Sequence, residues 1–81
     1  MKRSFFGENL RRMRQSKGWT QGQMAEMVGK SQTVISGYER GSCRVDVETA
    51  IKIAEVLETT IYAMTAMPPV EMDGSGKEAA V

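Results

Sequence analysis

Gln32, Thr33, Ser36 and Gly37 recur at a spacing that puts them on one side of a helix, and the first three carry short polar side chains rather than charges. A glutamine amide donates and accepts hydrogen bonds at once. A threonine hydroxyl does either beside a methyl group, and a serine hydroxyl does either alone. Such a set suits the matching of hydrogen-bonding edges on another molecule, not the breaking of bonds. The 81-residue composition points the same way: it contains no histidine, and Cys43 is the sole cysteine. That removes intrachain disulfides, cysteine and histidine zinc sites, and the common pairings of nucleophile with base. No glycine-rich phosphate loop is present either. An enzyme is not expected, nor a metal, a cofactor or a small-molecule ligand. Cys43 reads as a small loop residue.

The elements that must position the polar set can be read from caps and periodicity. Ser31 can cap a helix in which Ile35 and Tyr38 face inward and the polar set faces outward. Before it, Thr20 and Gln23 have the spacing of a capping box, so a helix should begin at Gln21, bury Met24, Ala25, Met27 and Val28, and stop at Gly29. Upstream, a first helix from Ser4 or Phe5 to Ser16 would bury Phe6, Leu10 and Met13 and end at Gly18. Downstream, Asp46 caps a fourth helix defined by Val47, Ala50, Ile51, Ala54 and Leu57. Thr59 or Thr60 caps a short fifth one reaching about Met67 and carrying Ile61, Tyr62 and Met64. The expected fold is all-α, a compact five-helix domain over 1–67. The segment PPVEMDGSGKEAAV at 68–81 has too few apolar groups to offset the entropy of ordering and is expected to be a disordered tail.

The net charge of +1 conceals a division. Residues 1–44 hold nine basic side chains against three acidic ones, a balance of +6, whereas residues 45–81 hold two against seven, a balance of −5. The cations accompany the two helices around the polar set, and the acids lie behind them. A polyanion would orient the domain through that polarity. A helix with a small polar outer face, preceded by a tight turn and flanked by cations, is what insertion into the major groove of DNA requires. No apolar run approaches the ~18 residues of a membrane span. The N-terminus lacks the apolar region of a secretory signal, so a cytoplasmic protein with no membrane partner is expected.

In order and spacing, GENLRRMR, KGWTQGQMAEMVGKSQTVISGYERG and VETAIKIAEVLETTIYAM resemble the helix-turn-helix domain of phage repressor and Cro proteins (XRE-like) over roughly residues 5–65. The resemblance implies a recognition helix at 31–40. There Gln32 would pair bidentately with adenine N6 and N7, Thr33 would meet a base edge or a thymine methyl, and Ser36 would contact a base or a phosphate. Gly37 leaves a frequent reading position without a side chain, and Val34 serves either the core edge or a thymine methyl. Gln21 matches a phosphate-binding position, assisted by Thr20 and the amides of the same helix end. Arg40, Arg44 and Lys30 are further phosphate contacts by the same resemblance. Arg14 and Glu39 match a largely buried ion pair and are structural. Trp19 should pack beneath the second helix, while Glu58 departs from a glycine that usually ends the fourth.

The reading is a transcriptional regulator, most simply a repressor. It is expected to act as a homodimer on a two-fold site of double-stranded DNA, because one such domain reaches few base pairs. Ile61, Tyr62 and Met64 would supply the dimer interface. The alternative is a protein-interaction adaptor, antitoxin-like or other, that keeps the fold while DNA binding is lost or secondary.

Overall fold

The computed structural model describes residues 5–67, which form five helices: α1 (Phe6–Ser16), α2 (Gln21–Val28), α3 (Gln32–Arg40), α4 (Val47–Val56) and α5 (Ile61–Thr65). The all-α, five-helix architecture is the one expected. α1 begins at Phe6; Ser4, the alternative start, lies outside the described residues, as does the segment 68–81.

Local hydrogen bonds set most boundaries. At the start of α2 the Gln23 backbone N–H donates to Thr20 Oγ1 at 3.0 Å, and the Thr20 N–H donates to Gln23 Oε1 at 2.8 Å, which completes the capping box. Gly29, at φ 71°, ends α2 in the left-handed conformation that costs glycine least. Two residues later Ser31 Oγ accepts the Val34 N–H at 3.2 Å and opens α3. The turn between the two helices is therefore fixed at both ends. Asp46 caps α4 by accepting the Thr49 hydroxyl at 2.7 Å and the Thr49 N–H at 3.3 Å. Thr60 Oγ1 caps α5 at 3.0 Å from the Ala63 N–H.

The core takes one fully buried apolar side chain from each helix: Leu10, Met24, Ile35, Ile53 and Met64. α3 packs on α2 and α1, α4 packs on α2 and α5, and α1 reaches α5. Gly7 is required where α1 meets α3, because a Cβ there would collide with the backbone carbonyls of Tyr38 and Glu39.

Four apolar expectations are corrected. Met27 is exposed on the flank of α2, since the buried side of that eight-residue helix is limited to Met24, Ala25 and Val28. Val47 and Ile51 are exposed on α4, whose buried stripe is rotated toward Thr49, Ala50, Ile53 and Ala54. Thr49 can be buried because its hydroxyl is already bonded to Asp46. Met64 has no exposed surface, so it is the core anchor of α5 and cannot belong to an interface.

Candidate nucleic-acid interface

α3 is built with two unlike ends. At its start Gln32 and Thr33 are exposed, and no hydrogen bond to either side chain occurs among the described residues. Gln32 lies beside the first turn of α2, with its Oε1 3.7 Å from where a Cβ on Gly22 would stand. In that turn the amides of Gln21 and Gly22 have no intrahelical acceptor, while the Gln23 amide is taken by Thr20. Polar groups of two helices therefore open side by side onto solvent. Lys30 is exposed in the turn that joins them.

The far end of α3 is committed to the protein. Arg14 Nε donates to Glu39 Oε2 at 2.6 Å and Arg14 Nη2 donates to Glu39 Oε1 at 3.1 Å. The third arm, Nη1, donates to the Trp19 carbonyl at 2.7 Å. This bidentate pair is almost wholly enclosed, the side chains keeping 9% and 4% of their surface, so its charges are satisfied only by each other and by neighbouring dipoles. Gln21 joins the network: its Nε2 donates to Glu39 Oε1 at 3.1 Å. One hydrogen of the amide is thus held inward and the second is left for an outside acceptor. Trp19 is partly buried against the core, and Lys17 stands 5.8 Å from its ring centre.

Ser36 does not share the open front with Gln32 and Thr33. Its hydroxyl accepts a hydrogen bond from Arg40 Nη1, and it lines a cleft with Arg11, Arg14, Gln15, Gln21, Glu39 and Arg40. Ser36 therefore stands apart from the two side chains with which it was grouped as a base contact, on the Arg40 side of the helix. Gly37 is buried rather than outward, because a Cβ there would sit 2.5 Å from Cys43 Sγ. The missing side chain makes room for the loop after α3. Val34 packs against the core while remaining partly exposed. Arg44 is exposed in that loop.

One structural residue escaped the sequence reading. Asn9 is fully buried on α1, where its Nδ2 donates to the carbonyls of Met64 at 2.6 Å and Ala66 at 2.7 Å, and its Oδ1 accepts Arg12 Nη2 at 3.0 Å. It holds the end of α5 against α1. The available signal was a polar residue adjoining Leu10 on the apolar side of an amphipathic helix. Among the described residues, no cluster of cysteine and acidic side chains could hold a metal ion. No helix among them is long and apolar enough to cross a membrane.

This geometry is that of a helix-turn-helix module, with α2 and α3 as its two helices. The helix-turn-helix family profile matches residues 10–63, and the chain belongs to that family, in its repressor and Cro branch. The HTH-type transcriptional regulator YqaE of Bacillus subtilis is 36% identical over 56 residues, which cover 69% of this chain and 48% of YqaE, so the chain spans about half the length of that relative. Among solved structures, the hypothetical transcription factor NHTF from Neisseria is similar with a TM-score of 0.75 at 28% identity, covering 80% of this chain and 75% of that one. The restriction-modification controller protein C.AhdI from Aeromonas hydrophila is similar with a TM-score of 0.69 at 30% identity, covering 73% and 86% respectively.

Proposed function

We propose that the protein is a sequence-specific DNA-binding transcriptional regulator, a repressor that acts as a cytoplasmic homodimer on a two-fold operator, and not an enzyme. The observation that carries this reading is the open front of α3, where Gln32 and Thr33 stand unbonded beside the free amides of α2. With α3 in the major groove, Gln32 and Thr33 meet base edges. The α2 amides, Thr20, Gln21, Lys30, Arg40 and Arg44 lie along the phosphates, supported by the +6 balance of residues 1–44. The dimer surface is assigned to Ile61 and Tyr62, both exposed on α5, with Tyr62 retaining 81% of its surface.

The test is selection of bound duplexes from a random pool, followed by salt titration and sedimentation. The expected result is a two-fold site with half-sites about one helical turn apart, bound at least ~100-fold more weakly as salt rises from about 50 to 200 mM. Tyr62→Asp should remain helical yet sediment as a monomer. If no duplex is selected, or if binding ignores salt, the protein is an adaptor and the DNA reading fails.

A further inference from the structure

We propose that Arg11 of α1 is a further DNA-backbone contact and that the cleft it shares with Arg40, Ser36 and Gln21 seats a phosphate of the duplex; this rests on the DNA-binding reading above. The cleft has a volume of about 310 Å³ and lies where α1, α2 and α3 meet. Of the charged groups that line it, Arg14 and Glu39 neutralise each other in their bidentate pair. Arg11 and Arg40 remain as two positive charges, and no carboxylate among the described residues pairs with either.

The hydrogen-bonding character of the cleft agrees with its charge. Ser36 already accepts from Arg40, so its hydroxyl proton is free to point outward. Gln21 offers its second amide hydrogen, because turning its Oε1 toward Glu39 would set two acceptors against each other. The Glu39 oxygens take three hydrogen bonds between them, from Arg14 and Gln21. Toward solvent the cleft thus presents two guanidinium groups, a hydroxyl proton and an amide N–H. That donor set fits a phosphate and not a cation. The neighbouring arginines of α1 have other uses: Arg14 is paired with Glu39, and Arg12 donates to Asn9. Arg11 alone of the three is left on the cleft side without a partner among the described residues.

The experiment measures the affinity of the full chain for its selected operator and for a scrambled duplex, by fluorescence anisotropy across the same salt range. The variants are Arg11→Ala, Arg11→Lys and Arg40→Ala, each checked for helicity by circular dichroism. Arg11→Ala is expected to weaken both duplexes about equally, roughly 3-fold or more at the lower salt, and to reduce the slope of log affinity against log salt by about 0.9 per protomer, while Arg11→Lys restores the slope. Unchanged affinity and slope in Arg11→Ala, with Arg40→Ala weakened, would overturn the assignment of Arg11 and leave the DNA reading intact. Weakening confined to the operator, or loss of helicity in Arg11→Ala, would also overturn it, by showing a base-reading or a folding role. A wild-type chain that binds neither duplex removes the DNA reading itself.

Discussion

The helix-turn-helix half of the molecule, α1 to α3, and the half formed by α4 and α5 solve their local problems differently. In the first half the helix ends at residues 18, 29 and 41 are left-handed glycines, and the buried ions are paired bidentately. What remains exposed is chiefly polar and cationic. In the second half α4 stops at Glu58, which adopts φ 59°, and Val47, Ile51, Ile61 and Tyr62 leave apolar surface in solvent. The two halves thus expose opposite kinds of surface. On the proposed function, the first half presents its polar groups to DNA, while the acidic half keeps the apolar area assigned above to a second copy.

The largest expected effect falls in the first half. Arg14→Ala or Glu39→Ala strands an enclosed charge and should cost about 3–5 kcal/mol of stability, measured by denaturant unfolding. A loss no larger than that of a surface charge would mean that the frame does not depend on this pair.

A smaller effect of opposite sign is expected in the second half. Glu58 occupies backbone space that strains a residue with a Cβ by about 1–2 kcal/mol. Its ion pair with Lys17, at 3.2 Å and largely in solvent, returns only about 0–1 kcal/mol. The strain outweighs the ion pair, so Glu58→Gly should raise stability by about 1 kcal/mol. An unchanged melting midpoint would show that the tight turn relaxes at no cost.

The smallest effect concerns acid. Hydrogen bonds from the Thr49 hydroxyl and then from the Thr49 amide hold the Asp46 carboxyl below its ordinary value. Its folded-state pKa lies under the unfolded one, so the stabilisation is complete above the ordinary carboxylate range and is lost as pH falls through the folded value. Helicity measured on acidification should therefore fall slightly less in Asp46→Asn than in the native chain. Identical acid titrations would show that the Asp46 carboxylate contributes nothing to the α4 cap that a neutral amide does not.

What the sequence disclosed and what it concealed follow from the range of the interactions. The caps at Thr20, Ser31, Asp46 and Thr60 were legible because each joins residues three apart. The exposed pair Gln32 and Thr33 was legible for the same reason, as part of one helical face. The Arg14 and Glu39 pair spans 25 residues and could be anticipated only through the resemblance to repressors. The rotation of α4 and the burial of Met64 were hidden, because a helix with several apolar residues does not say which of them its neighbours will cover. Asn9 was hidden likewise, since its partners are carbonyls 55 and 57 residues away. Gly37 looked like an absent reader until the loop bearing Cys43 was seen to fill its space.

On the proposed function, the open front of α3 reads bases, while Arg40, the last residue of the helix, grips the backbone beside the Glu39 network that is committed to the protein. Base preference measured at every operator position, for the native chain, Gln32→Ala and Arg40→Ala, tests this assignment most directly. Gln32→Ala should lose about 1–3 kcal/mol of discrimination at one base pair in each half-site, whereas Arg40→Ala should weaken every sequence about equally and keep the preferences intact. Preferences unchanged in Gln32→Ala, or shifted in Arg40→Ala, would contradict that division.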